Sequence, residues 1–252
     1  MKKSKILLPL IIITILFASC EKNSGNGQIT SETRQLESFE KVEVAGAYSV
    51  FIDHDAKSEV RIEAESNLIQ YISTEVKNGV LHIDNSKNIS PELPVTIFVK
   101  TADINSINLS GTGSIAIDTL IGDNVEVINS GSGIINSEIV GNVVNIDNSG
   151  SGLMTCNIVS EQLNYHSSGS GLVKFSGFSN TGNFEITGSG NIKSYGLIIN
   201  ELDVNISGSG NMEVNVSNSL NVIISGSGSV FYLGNPLIET NITGSGSIVN
   251  KN

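Results

Sequence analysis

The side chains best suited to chemistry near neutral pH are three histidines, His54, His82 and His166. His166 stands three positions before Gly169, in a Ser/Gly-rich phrase that recurs along the chain. The same position holds Asp147 one repeat earlier and Glu185 one repeat later. If the repeats stack as strands, these three side chains lie side by side on an outer face. Asp, His and Glu can bind a divalent metal or form favourable cross-strand charge pairs. The pairing is the preferred reading, and no metal site is assigned. His54 sits in Asp53-His54-Asp55 without a third strong ligand nearby in sequence and reads as a solvated turn. His82 alternates with Leu81 and Ile83 and should face solvent.

Other chemistries find little footing. A phosphate cradle needs Gly-x-x-x-x-Gly-Lys-Ser/Thr, or Gly-x-Gly-x-x-Gly, ahead of a helix. Here the glycine phrase recurs between strand-like stretches, with no lysine at the required place. The calcium-binding nonapeptide frame needs an aspartate that these phrases lack. Carboxylates are scattered rather than clustered for acid–base work on sugars. Beyond Ser110 the basic residues are Lys174, Lys193 and Lys251. Aromatic platforms are scarce, although Phe231-Tyr232 must turn one ring outward in a strand. The candidate surface contacts are therefore Asp147, His166, Glu185 and Tyr232. No catalytic residue is assigned, no cofactor is expected, and the chain is read as a non-enzyme.

The element that must position these residues is a short phrase, Ser/Thr-Gly-Ser/Thr-Gly, stated eight times between Ser110 and Gly246. Its first glycines are Gly111, Gly131, Gly150, Gly169, Gly188, Gly208, Gly226 and Gly244, 18 to 20 residues apart. Four positions before them stand Ile107, Val127, Ile146, Tyr165, Phe184, Val204, Val222 and Thr240. Four positions after them stand Ile115, Ile135, Met154, Val173, Ile192, Met212, Val230 and Ile248. Mostly polar residues lie between, so the pattern is period-two alternation on both sides of a glycine corner. One such unit cannot close a core, but stacked units can. The expectation is an all-β parallel β-helix, or solenoid, with coils of about 19 residues stacked about 4.8 Å apart. The alternative is an antiparallel β-sandwich whose hairpins are the glycine phrases. Glycine at the corner is expected to supply positive φ, and the flanking hydroxyls to bond nearby backbone.

The rest of the chain is read in order. Residues 1–19 have a Lys-rich head and an apolar run too short to span a membrane comfortably, as in a signal peptide. Leu16-Phe17-Ala18-Ser19-Cys20 resembles a bacterial lipobox, with Cys20 as the lipidated residue. Residues 20–33 read as a flexible polar tether. Residues 34–100 read as irregular N-terminal β coils that shield the first regular coil, and residues 101–252 as the regular repeat. Within the irregular part, residues 66–73 suggest a short helix capped by Ser66. Asn78-Gly79 marks a hairpin. Cys156 falls at an inward position and should be a small buried hydrophobe. The net charge of −11 argues against nucleic acid, whose binders carry a basic stripe.

The opening Phe39-Glu-Lys-Val-Glu-Val44, the stretch Gly79-Val-Leu-His-Ile83 and the segment Pro94-Val-Thr-Ile-Phe-Val99 lead into Ile107-Asn-Leu-Ser-Gly-Thr-Gly-Ser114 and the Ser-Gly-Ser-Gly ladder. This order resembles the family called putative auto-transporter adhesin, head GIN domain, over roughly residues 39–240. The resemblance implies a right-handed β-helix-like fold. It implies adhesion through the family label, and it brings no catalytic residues. The expectation is a lipid-anchored β-solenoid of the outer membrane, at the cell surface or on the periplasmic face, serving as adhesin or surface scaffold. The alternative is a glycan-binding or glycan-cleaving envelope protein. Expected partners are the outer membrane, a glycan or protein surface, and further copies of the chain through the open solenoid ends.

Overall fold

The computed structural model describes residues 22–252. The expected leader and Cys20 lie outside them. Among the described residues no helix is long and apolar enough to cross a membrane.

The fold is a parallel β-solenoid. Strands Ser114–Asn129, Ile134–Asn148, Leu153–Ser167, Leu172–Ile186, Asn191–Ile206 and Met212–Ile224 follow one another in the sheet. Every pairing among them is parallel. The glycine phrases are therefore not hairpin turns, and the sandwich alternative is excluded. The apolar columns read from the sequence stack in register. Val127 lies on Ile146, then Tyr165, Phe184, Val204, Val222 and Thr240. Ile135, Met154, Val173, Ile192, Met212, Val230 and Ile248 form the second stack. Both columns are buried until the last coil. Tyr165, Phe175 and Phe184 fill the core of two successive coils with edge-to-face ring contacts. Cys156 is buried among them as expected, and burial pushes its thiol up to about 11.

The corner glycines serve a purpose other than the one expected. None of the glycines in the eight phrases has a positive φ. Their backbones continue the parallel ladder around the corner instead. Ser132 donates its N–H to the Gly111 carbonyl at 3.1 Å, and Ser151 to that of Gly131 at 3.0 Å. A Cβ on Gly131 would overlap the Gly111 carbonyl oxygen, and one on Gly150 that of Gly131. The same clash recurs in every later phrase. Glycine is demanded here by the close approach of successive coils. Positive φ is confined among the described residues to Gly27, Gly79, Gly177, Gly234 and Asn78. The hydroxyls of Ser110 and Thr187 do bond the backbone of the preceding coil, at 3.3 and 3.4 Å.

The N-terminal part extends the same columns but out of chain order. Strands Lys41–Ala45 and Ser49–His54 pair in parallel with Ser106–Leu109 and the start of Ser114–Asn129. On their other side they pair in parallel with Val80–Asn85 and Thr96–Thr101. The chain thus lays down the second layer first, then the outer one, then crosses to the third. The outer layer is finished by antiparallel strands. Ile72–Lys77 pairs with Val80–Asn85 through the Asn78-Gly79 hairpin, and Glu59–Glu65 pairs with Thr96–Thr101.

Two expectations in this part are corrected. The polar stretch read as a tether, residues 20–33, contains strand Asn23–Ser24, which pairs with Ile89–Ser90, and most of strand Ile29–Gln35, which runs antiparallel to Glu59–Glu65. Backbone pairing and polar anchors hold it, and neither leaves a hydrophobic signature. The Arg34 guanidinium donates to the Ile72 carbonyl at 2.7 Å and to the Thr74 hydroxyl at 2.9 Å. Buried Glu65 accepts the N–H groups of Gly27 at 2.6 Å and Glu92 at 2.8 Å. The helix expected over residues 66–73 shrinks to one 3-10 turn, Ile69–Tyr71, preceded by Leu68 with no side-chain cap. The backbone returns to strand at Ile72, where pairing with Asn85 claims it.

Candidate binding surface

The strand register brings Asp147, His166 and Glu185 side by side, as the repeat predicted. His166 Nδ1 lies 3.4 Å from Glu185 Oε2, and both side chains are about half exposed. The column borders a depression of about 120 Å³ together with Asn145, Asn164 and Asn183. Asn164 donates to Asn145 Oδ1 at 2.9 Å across the same coils. His82 repeats the arrangement near the N-terminus, with Nδ1 3.0 Å from Glu43 Oε2 in the neighbouring layer. Both histidines thus make cross-strand pairs with a glutamate, which are attractive when the ring is protonated. Among the described residues no group of three His, Cys, Asp or Glu side chains is placed to hold a metal ion.

The stacked parallel coils and the Ser-Gly-Ser-Gly corners narrow the kind of protein this is. The family described as putative auto-transporter adhesin, head GIN domain, matches residues 38–236. The chain belongs to this family. No curated protein matches it in sequence. Solved structures of similar fold are a putative adhesin from Parabacteroides distasonis, 22% identical with a TM-score of 0.87, covering 92% of this chain and 100% of that one. A putative adhesin from Parabacteroides merdae is 18% identical with a TM-score of 0.86, covering 91% and 98%. A putative lipid binding protein from Parabacteroides distasonis is 23% identical with a TM-score of 0.84, covering 92% and 100%. At these identities the likeness speaks to fold.

On this head GIN domain the remaining expected residues fall as follows. Tyr232 is not an outward contact. It stacks on buried Val214, on the side of the strand that carries Val230, and packs against the core. Phe231 is the outward member of the pair, with Lys251 Nζ 5.1 Å from its ring centre. His54 is exposed but not free. Its Nδ1 lies 3.1 Å from the Ala102 carbonyl oxygen and its Nε2 2.7 Å from that of Thr119. Two acceptors facing both nitrogens suit the doubly protonated ring. The bond to Thr119, then that to Ala102, holds its pKa above the usual 6.5.

Two outer features lie apart from the residues expected from the sequence. Phe51 and Phe98 stack at 5.6 Å on adjacent strands, and Arg61 caps the Phe98 ring at 4.0 Å. Phe51 also opens onto a depression of about 560 Å³ that Asp53, Asp118, Asn136 and Glu138 help to line. Both rings occupy the outward positions between inward Val50 and Ile52, and between Ile97 and Val99. That alternation was a usable signal. The second feature is a column of exposed apolar residues nine or ten positions after the first glycine, beginning with Ile121 and Val140. Aligning that offset across repeats would have revealed it.

Proposed function

We propose that this protein is a non-enzymatic, lipid-anchored β-solenoid of the cell envelope, acting as an adhesin or surface scaffold at the outer membrane. The observation that carries this reading is polarity along the stack. Strand Asn23–Ser24, three residues beyond Cys20, is fixed at the antiparallel, capped end of the solenoid. A lipid on Cys20 would hold that end at the membrane. The regular coils would then project away, at about 4.8 Å per layer. The opposite end finishes in strands Leu237–Ile242 and Ser247–Asn250, each paired on one edge only. That open edge suits a second copy of the chain or another strand.

Labelled palmitate supplied to a Gram-negative host expressing the chain tests the anchor. Label should enter the parent protein and vanish with Cys20→Ala. Protease treatment of intact cells then reports which face of the outer membrane displays the solenoid. Labelling that persists without Cys20 overturns the anchor.

A second reading, glycan binding, is favoured by the Phe51–Phe98 stack, since the exposed Phe51 ring, with carboxylates and amides lining the depression beside it, suits sugar faces and hydroxyls. A glycan array probed with residues 22–252 tests it. Binding to one glycan class that Phe51→Ala abolishes supports this reading, and binding indifferent to Phe51 rejects it.

A further inference from the structure

One outer column of the solenoid is apolar in five successive coils. Ile121, Val140, Val159, Phe178 and Ile198 pair in register from strand to strand. They are 58, 43, 50, 41 and 45% exposed. Their side chains point away from the core, so the column contributes little to the fold. Runs of exposed apolar surface on soluble proteins mark interaction sites. The run ends where Ile198 meets Asn215 in the next coil. Beside it the chain places small residues, Gly122, Gly141, Ser160 and Ser179, again in register. A shallow trough of about 580 Å³ opens there, with Asp123 and Glu161 on its wall. Asn142 donates to Asp123 Oδ1 at 3.0 Å and steadies that carboxylate. Glu138 flanks the stripe on the other side, two residues before Val140 on the same outer face. Residues 101–173 contain no lysine or arginine. The stripe is apolar along its length, and the charged residues in the columns directly beside it, Asp123, Glu138 and Glu161, are all negative; Lys174 and Lys193 stand further off, four and five positions before Phe178 and Ile198.

Charge and spacing select the occupant. A second copy presenting the same stripe would bring like charges together, and an anionic bilayer would be repelled by the same border. Rungs about 4.8 Å apart come close to the pitch of about 5.4 Å at which a helix repeats its apolar face. A strand laid along the axis would show same-face side chains about 6.7 Å apart and fall out of step. Five rungs span about 19 Å, or about 13 helical residues. We propose that the Ile121–Ile198 stripe docks a basic amphipathic helix of another protein, its apolar face on the ladder and its Lys or Arg flanks on Asp123, Glu161 and Glu138. This rests on the reading of the solenoid as a binding scaffold and gives it a partner class.

The test uses residues 22–252, which hold every described strand, and a fluorescent synthetic helix of about 14 residues with a leucine face and lysine flanks. Anisotropy should report saturable one-to-one binding that weakens severalfold between about 50 and 300 mM salt. Joint substitution Val140→Asn and Val159→Asn should weaken it about tenfold. Joint substitution Asp123→Asn and Glu161→Gln should flatten the salt dependence. A scrambled peptide of equal composition should bind about tenfold more weakly. Circular dichroism checks that the variants, all at exposed positions, keep the β fold. Equal binding by the scrambled peptide, or indifference to the stripe substitutions, overturns the proposal. So does a dimer of the parent protein dissolved by those substitutions, or stripe-dependent binding to phosphatidylglycerol vesicles. None of these outcomes bears on palmitate labelling at Cys20, so the two readings fail separately.

Discussion

Gly150 shows how a residue can be right in the sequence for a reason the sequence does not display. Ser-Gly-Ser-Gly looks like turn chemistry, and turn chemistry suggests positive φ. The need is visible only once the coils are stacked, because the atom that excludes a Cβ at Gly150 belongs to Gly131, 19 residues earlier. Gly150→Ala should therefore cost about 3 kcal/mol through forced separation of two coils, read as a lower denaturant midpoint. Gly27, whose added Cβ would meet nothing, provides the contrast, since strain there would come from its φ of 70° alone. The apolar columns were legible because burial imposes the same residue class on every coil. The orientation of Tyr232 was not, because alternation fixes that two neighbours differ in facing without saying which faces in. His54 was illegible too, since its partners are the carbonyls of Ala102 and Thr119, distant in sequence. Its pKa is raised in the fold, so its contribution to stability is full below the ordinary 6.5 and fades as pH rises through the raised value. Thermal melts from pH 6 upward should show a falling melting temperature that His54→Gln flattens.

At the scale of elements, the regular strands announce themselves and the cap does not. Fifteen of the sixteen residues in the two inward columns are apolar or aromatic, which is a strong signal for strands. Ile29–Gln35 is exposed along nearly its whole length, so no burial pattern exists to read. Besides backbone pairing and Arg34, what holds that region is Glu65, whose requirements lie in Gly27, Glu92 and Leu93. Burial pushes the Glu65 carboxyl up, but these three N–H donors outweigh it and leave the pKa below the usual 4.5. The sign follows: the contribution is present above 4.5 and is lost as pH falls through the lowered value. Glu65→Gln, which puts two donors where acceptors are needed, should loosen the cap before the coils. Hydrogen exchange should show amides of Ile29–Gln35 losing protection while those of Leu153–Ser167 keep theirs.

Across the whole molecule, the two ends differ. One finishes in antiparallel strands whose outermost members, Ile29–Gln35 and Ile72–Lys77, are mostly polar, whereas the other exposes Leu237 at 79% and finishes in parallel strands Leu237–Ile242 and Ser247–Asn250, each paired on one edge only. End-to-end association through that edge should appear as a concentration-dependent rise in sedimentation coefficient. Paired substitution Leu237→Lys and Ile242→Lys should abolish it. The period told of stacking, but not that layers 41–54 and 80–101 are laid down in reverse, because both satisfy the same inward pattern. That inversion has a bearing on biogenesis. By the time the chain has crossed to Ser106–Leu109, the finished end and a templating edge already exist. Each later coil meets only its neighbours, so a polypeptide emerging N-terminus first can dock one rung at a time, and every docked rung resists backsliding. On a chain emerging N-terminus first, folding of this kind would act as a ratchet that draws the chain away from its exit site. A chain stopped after Ile206 should still give a cooperative β-rich melt, whereas one lacking residues 22–101 should not.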